Sequence, residues 1–172
     1  MQLYVERGFE QTTVAEIAKR AGLTARTFFR YFADKREVLF AGSADLQEHL
    51  MRALEAAPNS ASPMQVVSAV LDAAATALGQ HREHSRQRHS VINTNAELRE
   101  RELIKLASLS AALAEGLRRR GVPEPDASLT AETGIVVLRI AFERWVSEPH
   151  GADLSQTMRT TLDRLKTVTT AR

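Results

Sequence analysis

The side chains with the most distinctive chemistry lie close together in the segment TARTFFRYFADK, residues 24–35. Two threonine hydroxyls, two arginine guanidinium groups and one lysine ammonium group alternate there with aromatic residues. A guanidinium can donate two hydrogen bonds to the O6 and N7 atoms of guanine, while hydroxyl and ammonium groups bind phosphate oxygens. These residue types predict binding to double-stranded DNA. A solvated basic surface is the simpler alternative for the charges alone.

The surrounding pattern predicts two short helices joined by a tight turn. Glu16 follows Thr13 by three residues, which is the spacing of a capping box at the start of a helix. Gly22 is suited to end that helix. In the next helix Phe28 and Phe32 form an i, i+4 pair that turns toward the core. This arrangement places its second helix in the major groove, so we predict a helix-turn-helix DNA-binding unit.

The face of the second helix that remains for DNA contains Thr24, Ala25, Arg26, Thr27, Phe29 and Arg30. Arg26 lies in the first turn and is predicted to read a guanine. Ala25 and Phe29 are predicted to touch a thymine methyl group. For Thr13 and Thr27 a capping role that needs no DNA is the alternative.

The sequence from Gly8 to Leu39, G-F-x-x-T-T-V-x-x-I-A-x-x-A-G-x-T-x-x-T-F-F-x-Y-F-x-D-K-x-x-x-L, resembles the DNA-binding domain of TetR-type transcriptional regulators. The resemblance implies an all-helical homodimer, a variable C-terminal ligand domain and repression relieved by a small molecule. It also implies that four residues contact DNA phosphates, namely Thr13, Thr27, Tyr31 and Lys35. Phe29 replaces the tyrosine that is frequent in the family. The first helix, residues 1–8, is shorter than in most TetR-like proteins.

The composition predicts an all-helical, soluble protein of the cytoplasm. Ala, Leu, Arg and Glu are abundant in the 172 residues, aromatic residues make up 5%, and no alternating strand pattern occurs. The absence of cysteine excludes disulfides and thiolate metal sites. No apolar run approaches the roughly 20 residues that span a bilayer, so no membrane partner is expected. No signal peptide precedes the motif.

We expect two domains and about nine helices. Residues 1–40 are predicted to form a three-helix DNA-binding domain, and residues 41–172 a helical bundle for ligand binding and dimerisation. One helix from Asp34 to Ala57 is predicted to connect them. Further helices are predicted over residues 64–78, 81–92, 96–120, 129–147 and 154–168.

The last two predicted helices favour a homodimer. The segment TGIVVLRIAFERWV is apolar on nearly every side, and such a helix must be covered on two faces. The final helix carries a narrow apolar stripe. The predicted dimer interface contains Ile135, Phe142, Leu154, Met158, Leu162 and Leu165. The alternative is that both helices belong to the core of a monomer.

The segment NAELRERELIKLASLSAALAEGLRRRGVPEP, with Trp145 after it, resembles the C-terminal domain of mycofactocin-regulator-like TetR proteins. This resemblance implies a hydrophobic, acyl-bearing effector, and we expect a cavity of about 300 Å³ or more for it. The predicted lining comprises Leu71, Leu78, Ile92, Leu106 and Leu109, with His89, Asn93 and Arg139 around a polar head group. Ordinary core and surface contacts are the alternative for these residues.

A metal-dependent enzyme is the alternative from another class, because His81, His84 and His89 are closely spaced. The segment lacks HExxH and an obvious third ligand, and no nucleophile elbow, P-loop or dinucleotide motif occurs. We therefore expect no enzyme activity, no metal and no cofactor. The predicted function is a repressor that an effector releases from a palindromic operator by tilting the Asp34–Ala57 helix. A ligand-independent activator or architectural DNA binder is the remaining alternative.

Overall fold

The computed structural model describes residues 1–148 and 151–170, and these residues form helices and connecting loops without strands. The described residues contain nine α-helices and two short 3-10 helices, at Arg36–Phe40 and at Gly79–His81. Their bounds are α1 Gln2–Arg7, α2 Val14–Arg20, α3 Ala25–Tyr31, α4 Ser43–Ala56, α5 Pro63–Leu78, α6 Arg82–Asn93, α7 Ala96–Arg119, α8 Asp126–Ser147 and α9 Leu154–Thr170. The predicted all-α fold is confirmed, although α8 begins three residues earlier than expected.

The single helix predicted from Asp34 to Ala57 is wrong. Residues Arg36–Phe40 form a separate 3-10 helix, here called the linker helix, and α4 begins only at Ser43. Gly42 lies between them with a φ of 82°, which no α-helix can accommodate. The apolar residues Leu39 and Phe40 fit a helical pattern in the sequence, but both are buried against the first helices instead. Their burial and the glycine conformation together break the predicted helix.

The C-terminal core lies among α4, α5, α7, α8 and α9. It is built mainly from Ala, Val and Leu, with Trp145 near the end of α8. Two glycines allow the helices to approach closely. A Cβ added at Gly134 would lie 2.7 Å from Val67 Cγ1, and one added at Gly116 would lie 2.8 Å from Leu54 Cδ1. These close approaches leave little free space in the bundle.

The N-terminal core is shared between the first helices and the C-terminal bundle. Its buried residues are Tyr4, Phe9, Leu39, Phe40, Val91, Ile92 and Leu98. The last three belong to α6 and α7, so the N-terminal helices complete their core with two helices of the C-terminal part. The predicted domain boundary at residue 40 falls at the end of the linker helix.

Candidate nucleic-acid interface

Helices α2 and α3 form the predicted helix-turn-helix. The turn between them depends on Gly22, whose φ is 70°. The Leu23 N–H donates to the Ala18 carbonyl at 2.8 Å, and the Gly22 N–H donates to the Lys19 carbonyl at 3.1 Å. A left-handed glycine with these returning hydrogen bonds ends α2 and redirects the chain within a few residues. The second helix therefore starts at a defined angle to the first.

The capping box at the start of α2 is present. The Thr13 N–H and hydroxyl both donate to the Glu16 carboxylate at 2.9 Å, and the Glu16 N–H donates to the Thr13 hydroxyl at 3.3 Å. The hydrogen bonds from Thr13 hold the pKa of Glu16 below its ordinary value, with a smaller contribution from the Arg7 charge. Thr13 remains exposed at the helix N-terminus. A phosphate contact there is compatible with the cap.

Helix α3 presents its predicted DNA face to the solvent. Phe28 is buried as predicted, while Phe32, whose ring centre lies 5.3 Å from that of Phe28, is half-buried. The Thr24 hydroxyl caps the helix by accepting a hydrogen bond from the Thr27 N–H at 3.1 Å. The exposed residues are Thr24, Ala25, Arg26, Phe29, Arg30 and Tyr31, while Thr27 is half-buried. Seven of the nine predicted DNA-binding residues thus lie along one short element.

Three of the seven cations of residues 1–41 pair with carboxylates. This segment holds seven basic and five acidic residues, so it accounts for the whole formal net charge of +2. Arg7, Arg20 and Arg36 pair with Glu16, Glu6 and Asp34, respectively. Among the residues that the structure describes, the cations without a carboxylate partner here are Lys19, Arg26, Arg30 and Lys35. Lys19 was not among the predicted DNA-binding residues, because nothing in the sequence distinguishes its charge from that of Arg20 beside it.

Lys35 does not have the predicted arrangement. Its ammonium group donates to the carbonyls of Phe9, Glu10 and Thr12 at 2.8, 3.1 and 3.1 Å, and it lies 4.4 Å from the centre of the Phe9 ring. An ammonium group has three N–H donors, and all three are used here. The side chain therefore holds the loop between α1 and α2. A phosphate contact by this group would require breaking one of these bonds.

Arg30 and Tyr31 act as a pair. The Arg30 guanidinium lies 4.8 Å from the centre of the Tyr31 ring, and its Nη2 atom donates to the phenolic oxygen at 2.7 Å. The hydroxyl hydrogen of Tyr31 stays available for a phosphate oxygen. The pair thus offers a cation and a neutral donor from adjacent positions. Phe29 is exposed beside them and is suited to contact an apolar base edge.

The predicted effector cavity is much smaller than expected. A cavity of about 10 Å³ lies between α4, α5, α7 and α8, which is room for about one water molecule. Leu71 and Leu109 line it as predicted. Leu78 and Leu106 are only partly buried at the edge of the same core. Ile92 does not line it, because its side chain is fully buried in the N-terminal core.

The three polar residues predicted around a head group do not converge. His89 Nε2 lies 2.8 Å from Asn93 Nδ2, and the His89 ring is 6.0 Å from the Phe142 ring. Arg139 is exposed and pairs with Glu143 at 3.2 Å on the same helix. None of the three residues lines the small cavity between α4, α5, α7 and α8.

The predicted dimer residues are mostly part of the core of one chain. Ile135, Leu154, Met158 and Leu162 are buried against α5 and its neighbours, and Phe142 and Leu165 are partly buried. The periodicity of an apolar stripe does not distinguish a core face from an interface face. The sequence pattern alone therefore could not separate core residues from dimer residues. Helix α8 instead exposes Leu129, Val136 and Ile140.

The structure also bears on metal binding and on membrane insertion. The described residues contain no group of three His, Asp or Glu side chains placed to hold a metal ion. No helix in residues 1–148 and 151–170 is long and apolar enough to cross a membrane.

The fold and the exposed face of α3 define a helix-turn-helix transcriptional regulator. The family profile described as "Bacterial regulatory proteins, tetR family" matches residues 1–41, and the profile "MftR C-terminal domain" matches residues 61–170. The chain therefore belongs to the TetR family, with a C-terminal domain of the MftR type. Both resemblances seen in the sequence are confirmed.

Two curated relatives are themselves regulators. HTH-type transcriptional regulator TcmR of Streptomyces glaucescens is 38% identical over 68 residues, which is 40% of this chain and 30% of TcmR. The putative mycofactocin biosynthesis transcriptional regulator MftR of Mycobacterium tuberculosis is 29% identical over 155 residues, which is 86% of this chain and 76% of MftR. The first match therefore spans less than a third of that relative. The homologues indicate a regulator and no enzyme family.

Two solved structures share the fold over nearly the whole chain. The fatty acid degradation regulator FadR of Bacillus halodurans has a TM-score of 0.68 at 20% identity, covering 93% of this chain and 90% of its own. Thermus thermophilus FadR, a TetR-family repressor in complex with lauroyl-CoA, has a TM-score of 0.61 at 27% identity, covering 100% and 92%.

Proposed function

We propose that this regulator is a homodimeric repressor of the cytoplasm, released from a palindromic operator by a hydrophobic, acyl-bearing effector. One observation carries the DNA-binding part of this proposal. Arg26 lies exposed in the first turn of α3, and within the described residues it has no carboxylate partner. A guanidinium at that position of a recognition helix is suited to bind a guanine in the major groove.

The apolar seam lined by Leu71 and Leu109 is the best candidate for the effector site. Its lining is apolar, as an acyl chain requires, and the relative from Thermus thermophilus was solved with lauroyl-CoA. Because the seam holds only about 10 Å³, the effector must separate α5, α7 and α8 to enter. Gly134 of α8 and Val67 of α5 both line the seam and lie in close contact, so entry of an effector is expected to separate this pair.

Release from the operator follows from that separation. Helix α4 packs on α5 and α7, while α6 packs on α7, α8 and α1. A change between α5, α7 and α8 therefore reaches the DNA-binding domain through α6 and α7. The linker helix and Gly42 replace the single rigid helix that the sequence predicted, so α4 need not tilt as one rod with residues 34–41. Half-sites lie about 34–36 Å apart, so a shift of a few ångströms weakens one of the two contacts.

The dimer is expected to form through the exposed face of α8 together with α9. Leu129, Val136 and Ile140 are spaced by seven and four residues, so they share one side of the helix. This apolar stripe lies opposite the residues of α8 that fill the core. A second copy of the chain would cover it, and two copies of α8 and α9 would form a four-helix interface.

The dimer is tested by replacing both Val136 and Ile140 with Glu. A buried, unpaired carboxylate at an apolar interface is strongly unfavourable, so the variant should be monomeric by sedimentation velocity. Leu103→Glu on α7 is the matched control, since Leu103 is also exposed but lies on another helix. A double variant that still sediments as a dimer, or a control that dissociates, would assign the interface elsewhere.

DNA binding is tested by selecting duplexes from a random pool with the wild-type chain and then comparing single-base variants of the selected site. Arg26→Ala should lose about 1–3 kcal/mol of discrimination at one base pair. Arg52→Ala on α4, where Arg52 pairs with Glu48, is the control and should leave discrimination unchanged. Equal discrimination by wild type and Arg26→Ala would remove Arg26 from base reading. A pool without enrichment would contradict operator binding itself.

A further inference from the structure

Arg88 of α6 joins the DNA-binding domain to the C-terminal bundle. Its Nε atom donates to the Leu39 carbonyl of the linker helix at 2.7 Å, and its guanidinium lies 5.1 Å from the centre of the Phe40 ring. Its Nη1 atom donates to the Glu102 carboxylate of α7 at 3.1 Å. One side chain of α6 thus contacts both the linker helix and α7.

A second set of contacts lies next to it. The Glu37 carboxylate of the linker helix accepts a hydrogen bond from Arg101 Nε at 2.7 Å and lies 3.6 Å from Lys105 Nζ. Arg36 Nη1 lies 3.5 Å from the Glu97 carboxylate. All of these ion pairs join the linker helix to the first half of α7. Residues of α7 therefore hold the N-terminal end of the linker helix, and Arg88 of α6 holds its C-terminal end.

Among the ion pairs that the structure describes, only Arg88–Glu102 has both side chains less than 30% exposed, whereas Arg36–Glu97 is exposed like a surface pair at 44% and 68%. The side chains of Arg88 and Glu102 are 24% and 27% exposed, whereas those of Arg86 and Glu83, on the outer side of α6, are 55% and 63% exposed. Exposed pairs contribute little because water screens them. Partly buried pairs with directional hydrogen bonds favour one geometry over its neighbours. The contacts of Arg88 are suited to fix an orientation.

The covalent connection does not fix that orientation. After the linker helix the chain passes through Gly42, in the left-handed region, before α4 begins. A glycine permits many backbone conformations at little cost. The direction of the DNA-binding domain relative to the bundle must therefore come from noncovalent contacts, namely the N-terminal core and the contacts of Arg88 and Glu37.

We infer that Arg88 is a positioning residue, which holds α3 at the angle that lets two copies of the chain contact two half-sites together. This inference rests on the proposed dimeric DNA binding. When one half-site is bound, the affinity for the second depends on the effective concentration of the other recognition helix at that site. A loosely held domain spreads over more positions, which lowers this effective concentration and widens the tolerated spacing.

The experiment compares Arg88→Gln with Arg86→Gln, which removes a guanidinium from the same helix. Within the described residues, the hydrogen bonds of Arg86 go to Glu83 alone. Fluorescence anisotropy measures binding to three duplexes made from the selected sequence. They carry one half-site, two half-sites at the selected spacing, and two half-sites with one base pair inserted. Arg88→Gln should bind the single half-site like wild type. For the paired half-sites we expect about a tenfold loss at the selected spacing, the size of one charged hydrogen bond, and a smaller penalty for the insertion.

Two results would overturn the inference. Equal losses on the single and the paired half-sites would show that Arg88 supports folding of the domain, and a variant identical to wild type on all three duplexes would show that it does not set the angle. If Arg88→Gln fails to unfold cooperatively, Glu37→Gln decides between the same outcomes, because it loosens the adjacent contacts. Failure of the proposed function would give a different result. The wild-type chain itself would then bind paired half-sites no better than a single one.

Discussion

The two cores of this protein are built by different means. The C-terminal core is filled by aliphatic side chains from five helices, with glycines at the tightest crossings. The N-terminal core contains few buried residues, and polar groups surround it. The Tyr4 hydroxyl donates to the Lys35 carbonyl at 2.5 Å, and the Arg88 guanidinium donates to the Leu39 carbonyl at 2.7 Å.

The two kinds of contact have different physical effects: one stabilises the C-terminal bundle, and the other orients the N-terminal helices. Apolar contacts are nondirectional, so they stabilise a bundle without strongly preferring one small rotation over another. Hydrogen bonds to backbone carbonyls are directional, and they hold a small domain in one position. Apolar packing therefore stabilises the bundle, while the polar contacts restrict the orientation of the first helices relative to it. The proposed function uses both, because the release mechanism requires a DNA-binding domain that is positioned accurately and can also move.

The largest expected effect belongs to the C-terminal core. Leu113 is buried beside the small cavity, and Leu113→Ala should lower the free energy of unfolding by about 2–5 kcal/mol because it removes packed methyl groups and enlarges that cavity. Urea denaturation followed by circular dichroism measures this change. Leu103→Ala on the same helix is the control, since Leu103 is 62% exposed, and it should change stability by no more than about 0.5 kcal/mol. Similar effects of the two substitutions would contradict the assignment of α7's inner face.

The sequence predicts the fold well because its signals are local. The capping residues Thr13 and Ser62, and the stop signals Gly22 and Gly121, lie within a few positions of the helix ends that they set. The break at Gly42 escaped prediction because apolar residues on both sides of it continue a helical spacing. Only the burial of Leu39 and Phe40 in another core shows that the helix ends there.

A smaller effect is expected at Lys35, and it would sharpen the contrast between the cores. Lys35→Met keeps the aliphatic stem but removes three hydrogen bonds to loop carbonyls, so the N-terminal domain should lose about 1.5–3 kcal/mol of stability. Hydrogen exchange of amides in residues 8–20 reports this loss. The dependence of DNA affinity on salt should stay unchanged, whereas Arg30→Gln should lower the slope by about 1. A reduced slope for Lys35→Met would instead show that its ammonium group contacts phosphate.

The residues at the domain boundary could not be predicted from the sequence. Arg88 is 49 positions from Leu39, and Arg101 is 64 positions from Glu37. In the sequence these arginines look like the other charges of two polar helices, since a charged residue on a helix is most often a solvated one. The exposed face of α3 was predictable for the opposite reason. Its residues lie on one short helix, where spacing alone determines which side chains share a side.

The smallest expected effect is a dependence on pH at the start of α2. Because hydrogen bonds from Thr13 lower the pKa of Glu16 in the folded chain, the ionised carboxylate stabilises the fold at neutral pH. That contribution is lost as the pH falls below the ordinary value of 4.5 and through the lowered pKa. Glu16→Gln is the control, since a glutamine can complete a capping box without titrating.

The measurement is the thermal midpoint of both proteins from neutral pH to well below 4.5. Other carboxylates with lowered pKa values, such as Asp34 beside Arg36, titrate in both proteins and cancel in the difference. The advantage of wild type over Glu16→Gln should therefore shrink as the pH falls. A difference that stays constant with pH would mean that the charge of Glu16 adds nothing to the cap, and that the neutral hydrogen bonds of Thr13 alone hold the first turn of α2.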